Sequence, residues 1–302
     1  MNKKNGIIKP IFMIGTGRCG STIIFEALAV HETLAWFSNY NKLLPWFDIV
    51  SIAPRIYDVP LLRRMKSGEK EQYSQGKTLL NKFKPQPFES YTKWNVLCGR
   101  KFAKSFLKDV TATAEEKTNV IKAVSKAVKL QNKSRFLAKL TGPPRITYLN
   151  SIFPDAQFIN VTRHPYAVIC SLLEVDYWTD ESGQKKPYWE GGLQDNWQKE
   201  WARYGRNRLS LTAMQVRAIL RATEQEKTQL CEGRYMDVAY EEFLKAPQDV
   251  IAEIQKFCDL PVSKAVRNFV NAHSYTNQNK KYFDKLTDEE KQCIDDILNK
   301  AK

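Results

Sequence analysis

Two clusters of residues in this chain are of the kinds that grip phosphate-like anions. The first is Gly15-Thr-Gly-Arg18-Cys-Gly-Ser21-Thr22, where glycines, an arginine and two hydroxyls follow the apolar run Ile11–Ile14. The second is Arg163, at the end of the apolar run Ala156–Thr162, with Ser171 eight residues further on. A glycine-rich turn between a strand and a helix aims backbone N–H groups and the positive end of the helix dipole at one point, where an anion can sit. An arginine can hold the oxygens of that anion in a bidentate, charge-assisted pair. Lys139, near the end of the apolar run Ser134–Leu140, is a further cation at a strand terminus. Glu89, in Phe88-Glu-Ser-Tyr-Thr-Lys-Trp94, is an acid flanked by aromatics, as suits a proton acceptor in a pocket wall.

The glycine-rich loop supports three parses. Gly15, Gly17 and Gly20 satisfy the dinucleotide fingerprint G-x-G-x-x-G, which needs an acidic residue ~20 positions on for the ribose. That region is Trp36-Phe-Ser-Asn-Tyr40 and contains none. The spacing from Gly15 to Gly20 also fits the nucleoside-triphosphate loop G-x-x-x-x-G-K-[ST], but Ser21 stands where the phosphate-binding lysine belongs. A P-loop-type nucleotide kinase or NTPase, or an adenine-nucleotide-binding module without catalysis, stays open as an alternative. The third parse takes Arg18-Cys-Gly-Ser-Thr22 as a unit. It resembles the phosphosulfate-binding loop of the sulfotransferases that use 3′-phosphoadenosine-5′-phosphosulfate (PAPS), whose usual form is Arg or Lys, Ser, Gly, Thr, Thr.

The stretch Phe153-Pro-Asp-Ala-Gln-Phe-Ile-Asn-Val-Thr-Arg163-His-Pro-Tyr-Ala-Val-Ile-Cys-Ser171 is similar to the second signature of that family, and Ala239-Tyr-Glu-Glu-Phe-Leu244 to its Tyr-Glu-Asp-Leu segment. The resemblance is to the tyrosylprotein and bacterial-type branch. It covers residues 11–30 and 134–290 in outline and leaves 31–133 unassigned. It implies that Gly17, Arg18, Cys19, Gly20, Ser21 and Thr22 hold the 5′-phosphosulfate, with Cys19 offering mainly its N–H. It places Arg163 and Ser171 at the 3′-phosphate and Tyr240 beside the nucleotide. Lys280 and Lys281, with Asn277 and Asn279, fall in a basic C-terminal loop that would close over the donor. Arg18 and Lys139 are the cations expected at the transferring sulfate. Relatives carry a Glu or His base after the first helix or second strand. Phe37–Tyr40 has neither, so Glu89 is the candidate base, while His31, His164 and His273 are expected outside the site. The donor would be PAPS, the acceptor a hydroxyl or amine on a small molecule or carbohydrate, and no metal is expected.

These residues need a sheet to position them. Strands at 11–14, 134–140, 156–162 and 235–238 alternate with helices at 21–30, 146–153, 166–175, 240–245 and 247–258. This predicts an α/β fold, mostly parallel and flanked by helices, and the resemblance implies that the fold is similar to that of the P-loop NTPases. Further helices are expected at 114–131 (capped by Thr113), across 195–230, at 263–271 and after Thr287. Residues 176–200 and 273–283 read as loops. Residues 31–133 read as a helical and irregular insertion within one domain spanning 1–302. Its aromatics Trp36, Phe37, Tyr40, Trp46, Phe47 and Tyr57 are expected to line the acceptor pocket, with Pro45, Pro54 and Pro60 interrupting any long helix.

The bulk numbers agree. In 302 residues, 43% hydrophobic content allows a large core, and a net charge of +14 suits a polyanionic ligand, nucleic acid or an acidic membrane surface. Nucleic acid is disfavoured because the lysines are dispersed and no base-reading motif is present. The six cysteines are scattered without a C-x-x-C pair, which points to a reduced, cytoplasmic chain. No apolar run approaches the ~20 residues that cross a bilayer, although peripheral membrane contact is compatible with the charge.

Overall fold

The computed structural model describes residues 9–58, 84–178 and 182–300. Its centre is β1 (Ile11–Gly15), a strand without a polar side chain and buried along its whole length. Such a strand is stable only where both faces are covered, which is the situation inside a parallel sheet. β3 (Arg135–Thr141) and β4 (Gln157–Thr162) flank it, and β2 (Leu34–Ala35) and β5 (Tyr235–Ala239) form the edges. The order is β2-β3-β1-β4-β5 and every pairing is parallel. β2 is absent from the sequence reading because two residues carry no periodicity. The chain leaves β1 towards β3 and later returns to β4 on the other side. This reversal opens a crevice at the carboxyl ends of the strands, where α/β sheets bind ligands.

The helices in chain order are α1 (Ser21–Ala29), α2 (Asn39–Leu43), a 3₁₀ helix (Asp48–Asp58), α3 (Tyr91–Cys98), α4 (Lys101–Lys104), α5 (Ala114–Leu130), α6 (Ile146–Ile152) and α7 (Pro165–Leu173). They continue with α8 (Trp197–Arg203), α9 (Arg208–Lys227), α10 (Tyr240–Lys245), α11 (Pro247–Phe257), α12 (Lys264–Asn271), α13 (Asn279–Phe283) and α14 (Asp288–Asn299). Thr113 and Thr287 both cap as expected. Each hydroxyl accepts the N–H of a glutamate three residues on, and each glutamate accepts the threonine's N–H in return. No helix among the described residues is long and apolar enough to cross a membrane.

Alternation along β1 divides the core. Phe12 and Ile14 join Phe136, Ala138 and Phe158 beneath α3 and α5. Ile11 and Met13 join Leu137, Ile159 and Val161 beneath α1 and α11. A third cluster ties α7, α9 and α14 together at the side.

Three expectations need correction. The segment 273–283 is not all loop, because Asn279–Phe283 forms α13 and packs on α7. The span 195–230 is two helices separated at residues 204–207, where Gly205 and Arg206 take positive φ. The aromatics of the insertion do not line the pocket as a group. Trp36 and Phe37 are core, while Trp46 and Phe47 face outward. Residues 1–8 and the stretch 59–83 of the expected insertion, with Pro60, lie outside the described residues.

One ion pair fixes α8 against this frame. Glu200 accepts two hydrogen bonds from Arg217 of α9, at 2.8 and 3.0 Å, and one from Lys300 at 2.9 Å. The Arg217 hydrogen bonds come first among the causes that lower its carboxyl from 4.5 to about 2, against the opposing effect of burial. A depressed carboxylate contributes stability above its unfolded pKa and loses it as pH falls through the folded one. Glu200→Gln is therefore expected to lower stability by on the order of 2 kcal/mol at pH 7. The gap to wild type should narrow between pH 4.5 and about 2, measured by denaturant unfolding. A pH-independent gap would show that packing, not the charge, holds α8.

Candidate active site

The site is built at the carboxyl end of β1. Gly15 lies opposite Thr141 of β3 in the sheet register, so the exits of the two strands are side by side. The loop after β1 bends through Gly17 at φ +80°, Arg18 at +55° and Gly20 at +84°. Such a succession of turns curls backbone N–H groups towards one concavity. α1 begins directly after Gly20, which has no side chain to cap the helix. The first-turn N–H groups and the dipole therefore face the same hollow. Cys19 turns its side chain into the core and is fully buried, so only its backbone belongs to the loop surface. Gly20 is required sterically as well as conformationally, because a Cβ there would lie 2.2 Å from the Tyr240 ring.

Arg163, leaving β4, joins the parts. Its Nη1 donates to the Arg18 carbonyl at 3.0 Å and its Nε to Asn279 Oδ1 at 2.8 Å. The guanidinium lies over the Tyr240 ring at 4.9 Å and the Tyr282 ring at 5.5 Å. Its Nη2 is buried and has no hydrogen-bond partner among the described residues. Asn279 is held in turn by Glu241, whose carboxylate also accepts the His164 N–H at 3.0 Å. Burial alone would raise the Glu241 carboxyl; hydrogen bonds from the His164 backbone and Asn279, with the Arg163 charge, bring it below its ordinary value. Ser171, buried on α7, accepts from Arg18 Nε at 3.0 Å. The two motifs singled out in sequence, 145 residues apart in Arg18 and Arg163, thus touch directly.

On the other side of the loop a second group forms. Lys139 projects to the α1 face of β3, and its Nζ donates to Thr22 Oγ1 at 2.8 Å and lies 3.4 Å from Glu89 Oε1. Thr141 Oγ1 donates to the same carboxylate oxygen at 2.7 Å. Tyr91, whose hydroxyl burial pushes upward in pKa, donates to the Thr141 carbonyl at 2.5 Å. Glu89 reaches this position because Ser38 and Pro87 form an antiparallel bridge, which lays the start of residues 87–89 beside the chain leaving β2. The Phe88 N–H donates to the Phe37 carbonyl at 3.0 Å and the Ser90 hydroxyl to the Ser38 carbonyl at 2.9 Å, which sets Glu89 beside residues 37 and 38.

Both groups open into one cavity of 660 Å³, lined by Gly17, Arg18, Gly20, Ser21, Thr22, Glu89, Lys139 and Arg163. Its aromatic wall is Phe88 and Tyr91 from the insertion and Tyr177, Tyr188 and Trp189 from the loop before α8. Lys280 and Lys281 are exposed on α13 and are not among its lining residues. Tyr240 supports the loop from beneath. His31 is buried against the Pro261 carbonyl, His164 caps α7, and His273 bonds the Phe269 carbonyl, all outside the cavity. Sequence reasoning names Asn279 only as a member of the donor-side loop and does not single out Thr141 or Glu241; the motif Tyr240-Glu241 is the one pointer to the last.

The glycine-rich loop at the cavity floor and the half-buried Arg163 beside it both fall within a stretch of the chain that a family model matches. The model described as the sulfotransferase family matches residues 10–264. The chain belongs to the sulfotransferase family. As a sulfotransferase it is an enzyme that moves sulfuryl groups, and the kinase reading of the loop is not favoured. In fold it is similar to the sulfotransferase STF9 from Mycobacterium avium, with 16% identity over 88% of this chain and 67% of that one and a TM-score of 0.54. It is also similar to the sulfotransferase STF1 from Mycobacterium tuberculosis H37Rv, with 16% identity over 97% and 77% and a TM-score of 0.52. No curated protein sequence matches at significance.

The Gly20–Tyr240 contact gives a direct test. Gly233, in the turn before β5, has a similar φ of +77° but nothing within 4 Å of an added Cβ. Gly233→Ala should cost about 1 kcal/mol from the positive φ alone. Gly20→Ala should cost a further 1–3 kcal/mol, roughly, because the ring must move. Thermal melts should show the larger loss at Gly20, and Tyr240→Ala should reduce that difference. Equal melting temperatures in the two glycine variants would remove the ring as a constraint on the loop.

Proposed function

We propose that this sulfotransferase takes the sulfuryl group of PAPS, delivers it to a hydroxyl or amine of a small-molecule or carbohydrate acceptor, and releases 3′,5′-diphosphoadenosine (PAP). The observation that carries the reading is the Arg163 guanidinium. Two of its nitrogens are fixed on Asn279 and the Arg18 carbonyl, and Nη2 is buried in the site without a partner. A buried, unpaired N–H is costly unless a ligand completes it, and a phosphate oxygen is a suitable acceptor. The residues therefore fit a doubly anionic nucleotide. Arg163 and Ser171 would hold the 3′-phosphate. The N–H groups of Gly17, Arg18, Cys19, Gly20, Ser21 and Thr22 would hold the 5′-phosphosulfate. Arg18, on Ser171 at 3.0 Å, spans the two ends. Tyr240 fixes the loop and Arg163 from below, and Lys280 and Lys281 contribute positive field at the rim.

PAPS supplies an activated sulfuryl group on a phosphate leaving group. The chain's part is electrostatic and acid–base. Lys139 and the α1 N-terminus stabilise negative charge growing on the leaving oxygen, with Arg18 adding to the same field. Glu89, in the same cavity and 3.4 Å from Lys139, accepts the proton of the acceptor group. The Thr141 hydroxyl orients Glu89 by donating to one of its oxygens, which leaves the other for the acceptor. Phe88, Tyr91, Tyr188 and Trp189 offer faces to the acceptor's body. Six free cysteines, four of them buried, support a cytoplasmic location as part of this reading.

Thermal shift with PAP, ATP–Mg and NAD separately tests the donor. Saturation at a hundredfold excess over Kd should stabilise by about 2.7 kcal/mol, for PAP only. Arg163→Ala should abolish that shift, and an unchanged shift would misplace the 3′-phosphate. Glu89→Gln should leave the PAP shift intact and lower turnover by about 10²–10⁴-fold. Full turnover in that variant would exclude Glu89 as the base.

A further inference from the structure

Residues 41–56 are folded inside out. Asn41, Asp48 and Ser51 point inward, where Asn41 Nδ2 donates to Ser51 Oγ at 2.8 Å. The Asp48 carboxylate takes Lys93 Nζ at 2.6 Å and Lys126 Nζ at 3.6 Å, and Lys93 also donates to the Pro45 carbonyl at 2.7 Å. The side chains facing solvent are Leu43, Leu44, Trp46, Phe47, Ile49 and Ile52. Trp46 is 73% exposed, Leu43 67% and Phe47 59%. An ordinary surface helix shows the opposite pattern. The polar anchor means that the apolar residues are held outward by the fold. A contiguous apolar patch of this kind marks an interaction surface.

Charge selects the partner. Lys42 and Arg55 are exposed on the same segment. Its carboxylates are engaged away from them, Asp48 on Lys93 and Lys126 and Asp58 on Lys133 at 2.7 Å. The outward face therefore combines aliphatic and indole side chains with cations and presents no carboxylate of its own segment. This is the complement of an anionic lipid surface, in which apolar groups insert and lysine and arginine meet headgroups. The patch also adjoins the active site. Lys42 and Phe88 line the cavity, with Lys42 Nζ 4.8 Å from the Phe88 ring centroid. We infer that this face docks on an anionic membrane surface and turns the cavity mouth toward it, so that the acceptor group is presented by a membrane-borne molecule. The second half rests on the proposed sulfuryl transfer; the docking itself does not.

The test is co-sedimentation of the full chain with phosphatidylglycerol–phosphatidylcholine vesicles and with phosphatidylcholine alone. Binding should require the anionic lipid, weaken with salt, and fall roughly a hundredfold in Trp46→Ser/Phe47→Ser/Ile49→Ser, a variant of exposed residues. The PAP thermal shift should be unchanged in that variant. Protein left in the supernatant with both vesicles overturns the docking. So does a dimer in sedimentation velocity that the triple substitution dissolves, which would assign the patch to a second copy. So does acrylamide shielding of Trp46, read by difference from Trp46→Phe without vesicles, which would assign it to the chain's own cover. Labelled transfer to a vesicle-borne glycolipid should exceed transfer to its free headgroup, and equal rates overturn the acceptor half. Vesicle binding without a PAP shift would sink the donor reading and leave the docking standing.

Discussion

The placement of one guanidinium governs the site. Arg163 leaves β4 and touches the glycine loop through the Arg18 carbonyl, α13 through Asn279, and α10 through the Tyr240 face. A planar fork with fixed directions can meet these neighbours at once, whereas a lysine ammonium has neither the reach nor the flat face. Glu241 completes the arrangement by holding both Asn279 and the His164 N–H, so the turn after β4 and the start of α13 share one carboxylate. The loop is in turn pressed onto Tyr240 at Gly20. Elements that are remote in sequence are thereby brought to one point, where one nitrogen of the arginine has no partner among the described residues.

The sheet explains why this point and the Lys139–Glu89 group are close yet distinct. β1 lies between β3 and β4, so its loop has one neighbour on each side. Residues from the end of β4 and from α7 approach from one side and carry Arg163 and Ser171. Residues of β3 approach from the other and carry Lys139 and Thr141. The parity of β3 matters here. Leu137 and Lys139 share the α1 face, so the strand buries one and delivers the other to Thr22 at the helix N-terminus. A shift of register by one residue would send that cation to the opposite core.

Much of this was legible in sequence because it depends on local patterns. A buried strand, a glycine turn and a helix start are contiguous, and so are Arg163 and Ser171. The caps at Thr113 and Thr287 follow from neighbouring residues alone. What escaped depends on contacts between distant segments. β2 is two residues long and exists because β3 pairs with it. Asn279, rather than the neighbouring lysines, meets Arg163, since α13 turns Asn279 inward and leaves Lys280 and Lys281 in solvent. The aromatics of 31–62 look alike as a string but separate in space into core at Trp36 and Phe37 and surface at Trp46 and Phe47. Composition could not divide them, because the division is made by the inward network of Asn41, Asp48, Ser51 and Lys93.

Glu89 shows how the two halves of the proposed chemistry are distributed along the chain. The groups assigned to the donor stand on the loop after β1, on β3, β4 and α7, and on α10 below them. The candidate base comes from the insertion between β2 and β3, carried in by the Ser38–Pro87 bridge. Phe88 and Tyr91 on the acceptor wall and the outward apolar segment belong to the same insertion. In the proposed chemistry, donor geometry is therefore set by the sheet, while the proton acceptor sits on one appended unit with part of the acceptor wall, which Tyr188 and Trp189 complete from the loop before α8. A change in that unit can alter which acceptor is admitted and keep the base beside it, because both hang from the same bridge. The Thr141 hydroxyl and Lys139, reaching from β3 to Glu89, are the contacts through which the sheet holds the insertion in register with the loop.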